Sequence, residues 1–479
     1  AGVSSFGFSG TNAHVGVSEA PPSAVSAVTL DRPAHLLWFS ARTLTALRTV
    51  AQAYRDVLAA PEADLPAIAT ASGTGRAKLP ERLALVAANP AEAGLQLERW
   101  LAGDSSALVT GRVEAGHEPR MAWLFTGQGS QYLGMGEELY RTAPVFRAAI
   151  DRCAELLASE RPEALTDVLF GRAGLAPDLI DQTGWTQPAL FALEYALSEL
   201  LRSWGLRPSA VIGHSIGEFV AATVAGVLPL ESAVRLVAAR AALMQSLPTG
   251  GGMAALDLDE ATVRALPEVM SGQLSVAAVN GPTSLVVSGP AAVVDAVVAR
   301  VAANGGRATR LTVSHAFHSA LMDPVLREFR AIAAQQRFSR PQLPLAANVT
   351  GALAGPEDLD AEYWVQQLRV TVRFADGVRA IGALGCDTFL EIGPHPVLLP
   401  MARQSLGDRA GAAWLPSVRK GRDAWATMLD SIAALLVRGS AFNWTGFDGG
   451  VRRTQPGGPD GPVAAPARPD RGGPGVGRH

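Results

Sequence analysis

Cysteine is nearly absent from this sequence, whose 479 residues include only Cys153 and Cys386. Two cysteines supply neither a disulfide framework nor a zinc site, so we expect a reducing, cytoplasmic setting and no bound metal. Long apolar runs are missing as well. The stretches 209–212 and 219–230 are short or interrupted, and a membrane-crossing helix needs roughly 20 residues, so no membrane span is predicted. The N-terminus does not resemble a secretory signal, because no basic region leads into an apolar run and a cleavage site.

An excess of charge is missing too. Lysine and arginine total 41 against 44 acidic residues, which gives a formal net charge of −3. This balance offers no electrostatic basis for binding nucleic acid. The length is typical of about three domains, and hydrophobic residues make up 48% of the chain, enough to fill their cores. The composition therefore predicts a globular, multi-domain protein.

The first hundred residues contain two different sequence patterns. Residues 3–14 are rich in glycine and show no helical periodicity. Apolar runs at 35–39 and 82–87 predict strands, and residues 44–58 and 90–101 have helical spacing. We therefore expect a small α/β module from about residue 30 to 105. The glycines and polar residues that follow predict a connector over 103–119.

From Met121 onward, short apolar runs alternate with helical segments, which predicts a mostly parallel sheet covered by helices. Between 250 and 313 the order changes to strand, helix, strand, strand, helix, strand, which is typical of a ferredoxin-like insert. The main sheet is expected to resume near 343–349 and 388–392. From residue 455 almost nothing is apolar, so the tail is predicted to be disordered. The fold class is thus α/β, with a hydrolase-like large subdomain, the insert and the preceding small module.

The segment with the strongest chemical meaning is Gly213-His214-Ser215-Ile216-Gly217. It matches G-x-S-x-G between an apolar strand and a predicted helix, which is the setting of a nucleophile elbow. The glycines allow a sharp turn, and the N-terminus of the following helix favours developing negative charge. The pattern predicts that Ser215 is an acylated nucleophile; a purely structural turn is the alternative.

A serine nucleophile needs a base, usually histidine. The sequence has eight histidines. Four remain when those of the N-terminal segments, the connector and the tail are set aside: His214, His315, His318 and His395. His214 adjoins the serine and is expected to point away from it, and His395 lies in a rigid Gly-Pro-His-Pro turn. One of His315 and His318 is therefore the expected base. Four acidic residues between Ser215 and these histidines fall in or beside the predicted insert, namely Asp257, Asp259, Glu260 and Glu268. None is a convincing third member, which favours a dyad.

The loop 127–131, Gly-Gln-Gly-Ser-Gln, directly follows the strand that ends at Phe125. Its backbone amides can gather at the carboxyl edge of the sheet. It could supply one oxyanion-hole donor, with the N–H of Ile216 as the other. A phosphate-binding nest or a plain turn are equally open interpretations.

At these residues the sequence resembles the malonyl-CoA:acyl-carrier-protein acyltransferase family, and specifically the acyltransferase domain of modular or iterative type I polyketide synthases. The resemblance extends over nearly the whole chain and implies the following segments: a ketosynthase C-terminal remnant (1–20), a ketosynthase–acyltransferase linker domain (21–118), the acyltransferase (119–408, with the insert at 250–313), a post-acyltransferase linker (409–452) and the disordered tail (453–479).

The resemblance also implies roles for individual residues. Ser215 corresponds to the acylated nucleophile and His318 to the general base, oriented by a backbone carbonyl. Gln128 and Ile216 correspond to the oxyanion-hole donors. The remaining matched positions are pocket residues: Gln187, Asn280, His214, His315, Phe317 and Arg240.

Arg240 lies 25 residues after Ser215, where the family has an arginine that holds the free carboxylate of malonyl substrates. A guanidinium can hold a carboxylate bidentately, although an arginine on a solvated helix face is the simpler interpretation. Malonyl-selective relatives have His-Ala-Phe-His where methylmalonyl-selective ones have Tyr-Ala-Ser-His, and this sequence has the former at 315–318. Phe317 would then occupy the space that a branching methyl needs.

We therefore expect a malonyl-CoA:acyl-carrier-protein transacylase of polyketide (antibiotic) biosynthesis that uses malonyl-CoA as substrate. No cofactor is expected on the chain itself, and the phosphopantetheine belongs to the partner acyl carrier protein. The other expected partners are the ketosynthase and remaining synthase domains, with the chain itself a monomer cut from a longer protein. The alternatives are an acyl-thioester hydrolase with the same elbow, a different extender specificity such as methylmalonyl, and a non-catalytic scaffold.

Overall fold

The computed structural model describes residues 2–6, 12–16, 32–74, 77–104, 106, 108–114, 116–172, 174–407, 409 and 411–448. The first two ranges are the strands of a hairpin, β1 (Gly2–Phe6) and β2 (Asn12–Gly16), which pair antiparallel. This hairpin belongs to one unit of the chain, and the described residues from 32 onward belong to a second. The tail predicted to be disordered lies outside the described residues.

The second unit begins with a small α/β module. Its elements are β3 (His35–Ala41), α1 (Leu44–Leu58), α2 (Leu65–Thr74), β4 (Glu81–Ala87), α3 (Pro90–Leu101) and β5 (Val109–Arg112). The three strands form an antiparallel sheet with β4 in the centre. Helix α1 begins where the side chain of Thr43 accepts a hydrogen bond from the N–H of Ala46 (3.2 Å), which supplies an N-cap.

Strand β5 corrects one expectation. Residues 103–119 were predicted to be a connector, yet the four residues from Val109 to Arg112 pair with β4. The segment is short and contains a glycine, so its own sequence carries a weak strand signal. Its pairing with β4 decides its conformation.

The main fold starts with β6 (Met121–Phe125), α4 (Glu137–Thr142), α5 (Pro144–Leu157), α6 (Leu165–Phe170), a 3-10 turn (Leu179–Asp181), α7 (Thr183–Ser203), β7 (Ala210–Gly213), α8 (Gly217–Val224) and α9 (Leu230–Gln245). Helix α7 is buried along most of its length. Strands β6 and β7 are wholly buried too, as expected for strands that are covered on both faces.

An insert follows α9. It contains β8 (Gly251–Leu256), α10 (Glu260–Arg264), α11 (Pro267–Met270), β9 (Ser275–Gly281), β10 (Ser284–Pro290), α12 (Ala291–Ala303) and β11 (Ala308–Arg310). The strand order is β11-β8-β10-β9, and all neighbours are antiparallel. This is the ferredoxin-like arrangement expected from the sequence, with the short helix α11 as an addition.

The rest of the main fold comprises a 3-10 turn (Ala320–Met322), α13 (Asp323–Ala333), β12 (Leu345–Ala346), α14 (Ala361–Arg369), α15 (Phe374–Ala383), β13 (Thr388–Ile392), α16 (Leu398–Leu406), β14 (Ala413–Pro416), α17 (Ala424–Arg438) and α18 (Trp444–Asp448). The order of the main sheet is β12-β7-β6-β13-β14, and every pair is parallel. The predicted α/β class, with a parallel sheet and an inserted ferredoxin-like subdomain, is confirmed.

Two elements that follow residue 408 complete this architecture. Strand β14 pairs with β13, where Phe389 stacks on Trp414 with ring centroids 4.5 Å apart. Helix α17 contacts β4 and β5 of the small module, and the Arg82 guanidinium donates to the carbonyl of Leu436 (2.8 Å). None of the helices in the described ranges is both long enough and apolar enough to cross a membrane.

Candidate active site

The turn from β7 into α8 presents Ser215 at the carboxyl edge of the main sheet. Ser215 has a left-handed backbone (φ 53°), which is uncommon for a residue with a side chain. The flanking glycines are required by close packing. A Cβ on Gly213 would lie 2.1 Å from the nitrogen of Glu218, and one on Gly217 would lie 2.4 Å from the carbonyl oxygen of Phe125. The segment therefore forms the strained strand–turn–helix of a nucleophile elbow.

His318 is the histidine that the fold brings to Ser215. Its Nε2 lies 2.8 Å from Ser215 Oγ, and its Nδ1 lies 3.1 Å from the carbonyl oxygen of Val370. A carbonyl only accepts, so Nδ1 carries the proton and Nε2 is free to accept the hydroxyl proton. His318 also has a left-handed backbone (φ 55°).

Burial lowers the pKa of His318 to about 3, and the nearby positive charge of Arg240 contributes to this shift. The imidazole is therefore neutral at ordinary pH. The partner of Nδ1 is a backbone carbonyl rather than a carboxylate, which is the arrangement that the family resemblance implies. The geometry suits a serine–histidine pair that transfers one proton between the hydroxyl and the ring.

Arg240, on α9, has a guanidinium that points at the same hydroxyl. Its side chain is 1% exposed; Nη2 donates to Ser215 Oγ (3.1 Å) and Nη1 donates to Gln187 Oε1 (2.6 Å). In the described part of the chain it forms no ion pair with a carboxylate, and its Nε has no partner. Burial lowers the pKa of Arg240 to about 9, against the opposing influence of Glu218, so the group is a cation at neutral pH. A buried cation of this kind is costly unless an anion joins it.

Gln187, on α7, orients this cation. Its Oε1 accepts from Arg240, and its Nε2 donates to the sulfur of Met244 (3.3 Å). Met244 lies one helical turn beyond Arg240 on α9. Gln187 thus contacts the guanidinium that faces Ser215, and it fixes the direction of that group.

His214 and Asn280 form a second hydrogen-bonded pair beside the elbow. The side chain of His214 turns away from the dyad, as expected, and its Nε2 lies 2.8 Å from Asn280 Oδ1. Asn280 is on β9, so the insert reaches into the site. Burial lowers the pKa of His214, which makes its ring neutral and its Nε2–H the donor to the amide oxygen.

His315 is held away from the hydroxyl. Its Nε2–H donates to the carbonyl of Leu247 (2.9 Å), and its Nδ1 accepts from Ser314 (2.7 Å). Its ring lies 6.2 Å from that of Phe317, which is itself buried. The sequence did not decide which of His315 and His318 lies beside Ser215. In the structure His318 contacts Ser215, and His315 supports the segment that carries Phe317.

The loop after β6 packs against the elbow. A Cβ on Gly127 would lie 2.9 Å from the carbonyl oxygen of His214, and the Gln128 side chain donates to Thr183 (3.3 Å). Within the described residues, the backbone N–H groups of Gln128 and Ile216 donate to no protein acceptor. Two free N–H groups beside a nucleophile can bind an oxyanion. His395 makes no hydrogen bond with any residue of this site.

Four residues that contribute side chains to the site had not been predicted: Asn348, Gln367, Glu218 and Tyr363. Asn348 Oδ1 accepts from the N–H of Ser215 (2.8 Å), and Gln367 Nε2 donates to the carbonyl of Ser215 (2.7 Å). Glu218 Oε1 accepts from the Asn348 N–H (2.7 Å) and from the Tyr363 hydroxyl. The sequence holds one signal for this group, since Asn348 follows β12 by two residues and so falls on the sheet edge that carries Ser215.

The site offers no arrangement for a resident metal. In the parts of the chain that the structure describes, no group of three or more His, Cys, Asp or Glu side chains could hold a metal ion. The polar groups that converge on Ser215 are one imidazole, one guanidinium and neutral amides. They place one cation and several neutral hydrogen-bonding groups around the hydroxyl.

Comparison with protein families gives two matches. Residues 122–441 match the acyl transferase domain model, and residues 38–104 match the RhiE-like KS-MAT linker domain model. Among curated proteins, the chain is 41% identical over 472 residues to polyketide synthase GfsA of Streptomyces halstedii. The alignment covers 94% of this chain and 6% of that protein, so the chain spans a small part of this relative.

Two solved structures are similar over most of the chain. The acyltransferase domain from the second module of the salinomycin polyketide synthase is 42% identical with a TM-score of 0.72, covering 86% of this chain and 96% of that one. The acyl transferase domain of SpnD, in complex with 2-(pent-4-yn-1-yl)malonyl, is 33% identical with a TM-score of 0.75, covering 88% and 98%. The match thus includes both the small module and the main fold.

Proposed function

The chain belongs to the acyl transferase domain family of polyketide synthases, and from this premise we propose that it transfers malonyl from malonyl-CoA to an acyl carrier protein through Ser215. The observation that carries the proposal is the buried, unpaired Arg240 beside the Ser215–His318 pair. A general acyl site does not need a buried cation, whereas an acyl group that ends in a carboxylate does.

In the first half-reaction, Ser215 Oγ attacks the thioester carbonyl while its proton moves to His318 Nε2. The oxyanion is held by the backbone N–H groups of Gln128 and Ile216. The carbon–sulfur bond then breaks, and His318 returns the proton to the departing CoA sulfur. In the second half-reaction, the phosphopantetheine thiol of the carrier protein gives its proton to His318 and takes the acyl group, and Ser215 recovers its proton.

Arg240 provides the substrate preference. Its two Nη groups form a fork that can hold the free malonyl carboxylate bidentately. Gln187 and Ser215 occupy this fork in the free protein, so substrate binding replaces one or both neutral acceptors with an anionic one. The malonyl-type ligand named for the related SpnD domain supports a carboxylate-bearing acyl group here as well.

The extender unit is proposed to be malonyl rather than methylmalonyl. Phe317 is buried in the segment that ends at the base His318, and Ile216 is buried directly after the nucleophile. We propose that these two side chains limit the space for a branched acyl group. One methyl group changes the activation free energy by about 1–3 kcal/mol. The proposed preference for malonyl over methylmalonyl is therefore modest.

The neighbouring segments are proposed to belong to a larger synthase. We assign residues 1–20 to the end of a ketosynthase, 21–118 and 409–452 to linkers, 119–408 to the acyltransferase proper with its insert at 250–313, and 453–479 to a tail. The proposed partners are accordingly an acyl carrier protein and a ketosynthase.

The direct test uses intact-protein mass spectrometry after exposure to a mixture of malonyl-, methylmalonyl- and acetyl-CoA. The wild-type chain should gain the malonyl mass, and Ser215→Ala should gain none. Acyl mass on Ser215→Ala, or none on the wild type, would contradict the proposal. Measuring CoA release with and without a carrier protein separates transfer from hydrolysis, since a hydrolase would release CoA continuously without the carrier.

A further inference from the structure

The backbone of Ser215 is hydrogen bonded on both sides by amide side chains from distant segments. Asn348 accepts from its N–H, and Gln367 donates to its carbonyl. Asn348 also donates from Nδ2 to the carbonyl oxygen of Gly213 (2.8 Å). A single amide therefore bridges two backbone groups that are two residues apart, across the sharpest part of the turn.

Asn348 is itself held by Glu218. The backbone N–H of Asn348 donates to Glu218 Oε1 (2.7 Å), which also accepts from the Tyr363 hydroxyl. Glu218 lies three residues after Ser215, in the first turn of α8, and the N–H of Glu218 donates to the carbonyl of Ser215 (3.1 Å). These hydrogen bonds form a closed ring that links Ser215, Asn348 and Glu218.

We infer that Asn348 and Glu218 are positioning residues, which hold Ser215 in its left-handed conformation so that Oγ stays between His318 and Arg240. This inference rests on the proposed acylation of Ser215. Neither residue reaches the reacting atoms, and both act through the backbone of the elbow.

Two physical facts support a positioning role. A left-handed serine is strained and persists only where its surroundings impose it. Glu218 is fully buried, and its Oε2 has no hydrogen-bond partner within the described residues, a costly state for a carboxyl group. If Glu218 only stabilised the fold, an apolar side chain of the same size could take its place. The carboxyl group adds two hydrogen bonds, from the Asn348 N–H and the Tyr363 hydroxyl, and the first of these holds Asn348.

The chain offers a matched control in Glu391. It is buried to the same degree, and burial raises the pKa of both carboxyl groups to about 7. The Glu391 carboxyl accepts from the N–H groups of Val397, Leu398 and Leu399. It therefore caps α16 and bonds to no residue of the site.

The experiment measures the rate of malonylation by quenched-flow mass spectrometry, together with the melting temperature, for Asn348→Ala, Glu218→Ala, Glu218→Gln and Glu391→Ala. We expect Asn348→Ala and Glu218→Ala to lower the maximal acylation rate by about tenfold to a hundredfold, with KM unchanged within about threefold. Glu218→Gln keeps the oxygen acceptor and should retain most of the rate. Glu391→Ala should lose thermal stability but keep the wild-type rate.

Wild-type rates for the Asn348 and Glu218 alanine variants would overturn the inference, as would an equal loss of rate in Glu391→Ala. Phenylmethanesulfonyl fluoride keeps this test separate from the proposed function, because it needs only a reactive hydroxyl. If the wild type accepts no malonyl, the proposed function fails, and the sulfonylation rates of the same variants then decide the positioning role. The same ranking of variants would support it, and equal rates would refute it.

Discussion

Arg240 Nη2 lies 3.1 Å from the hydroxyl oxygen of Ser215. The hydroxyl oxygen therefore accepts from a cation while its proton faces a neutral imidazole, and both contacts favour removal of that proton. The same guanidinium is the group proposed to hold the substrate carboxylate. In the proposed function, the substrate carboxylate would replace the contact between this guanidinium and Ser215 Oγ.

Replacing Arg240 tests the carboxylate contact. Arg240→Ala should lower malonyl loading by about a hundredfold, because a buried charge-assisted pair is lost. Acetyl loading, which has no carboxylate to hold, should change much less. Loading of both acyl groups can be followed by intact mass. Arg235→Ala is the control, since Arg235 is exposed on the same helix, and equal losses for malonyl and acetyl would contradict the assignment.

The pH dependence of acylation tests the state of the base. The protonated form of His318 cannot accept a proton, and burial lowers its pKa to about 3. The acylation rate should therefore vary by less than about threefold between pH 5 and 8, without an inflection near 6.5, the usual histidine value. Single-turnover kinetics with malonyl-CoA across this range provide the measurement. A loss of rate centred near pH 6.5 would mean that His318 ionises like a solvated histidine.

Phe317 should control extender size. Phe317→Ser removes a buried ring from the segment 315–318, and we expect the ratio of methylmalonyl to malonyl loading to rise by about tenfold. Competition between the two CoA esters, read by mass, gives this ratio directly. An unchanged ratio in a variant that still loads malonyl would remove Phe317 from the specificity assignment.

Buried carboxyl groups should make stability depend on pH. The pKa of Glu391 is raised to about 7 in the fold from an ordinary value near 4.5, so the folded state binds the extra proton between these values. The free energy of unfolding should therefore fall as pH rises from 4.5 through 7, by about 3 kcal/mol for this group. His318 acts in the opposite sense, but only between about pH 3 and 6.5. Urea unfolding at pH 5 and 8 should show a smaller difference for Glu391→Gln than for the wild type.

Much of the site could be predicted because its reacting residues sit in local patterns. The elbow needs glycines at fixed offsets from Ser215, and the backbone packing around Gly213 and Gly217 shows why no other residue fits there. The order of strands and helices likewise predicted the main parallel sheet and the antiparallel sheet of the insert. These features depend on residues that are close together in the sequence, so a short sequence pattern is enough to predict them.

The residues that were not predicted depend on neighbours in space. Val370 contributes only a carbonyl oxygen to His318, so any side chain at that position would give the same contact. Asn348 and Gln367 lie more than 130 residues after Ser215 and belong to no local motif. Strand β5 has four residues and takes its conformation from β4. In each case the information lies in the packing of the fold.

Strand β14 has a practical consequence for anyone who exchanges this catalytic domain between synthases. A junction at residue 408 would remove β14, one of the two strands that pair with β13. It would also leave Phe389 without the stacked ring of Trp414 and remove the helix that contacts the small module. The bared apolar edge would favour aggregation of the chimera. A crossover point beyond residue 448 transfers the sheet and its covering helices together. We recommend this point for building hybrid synthases.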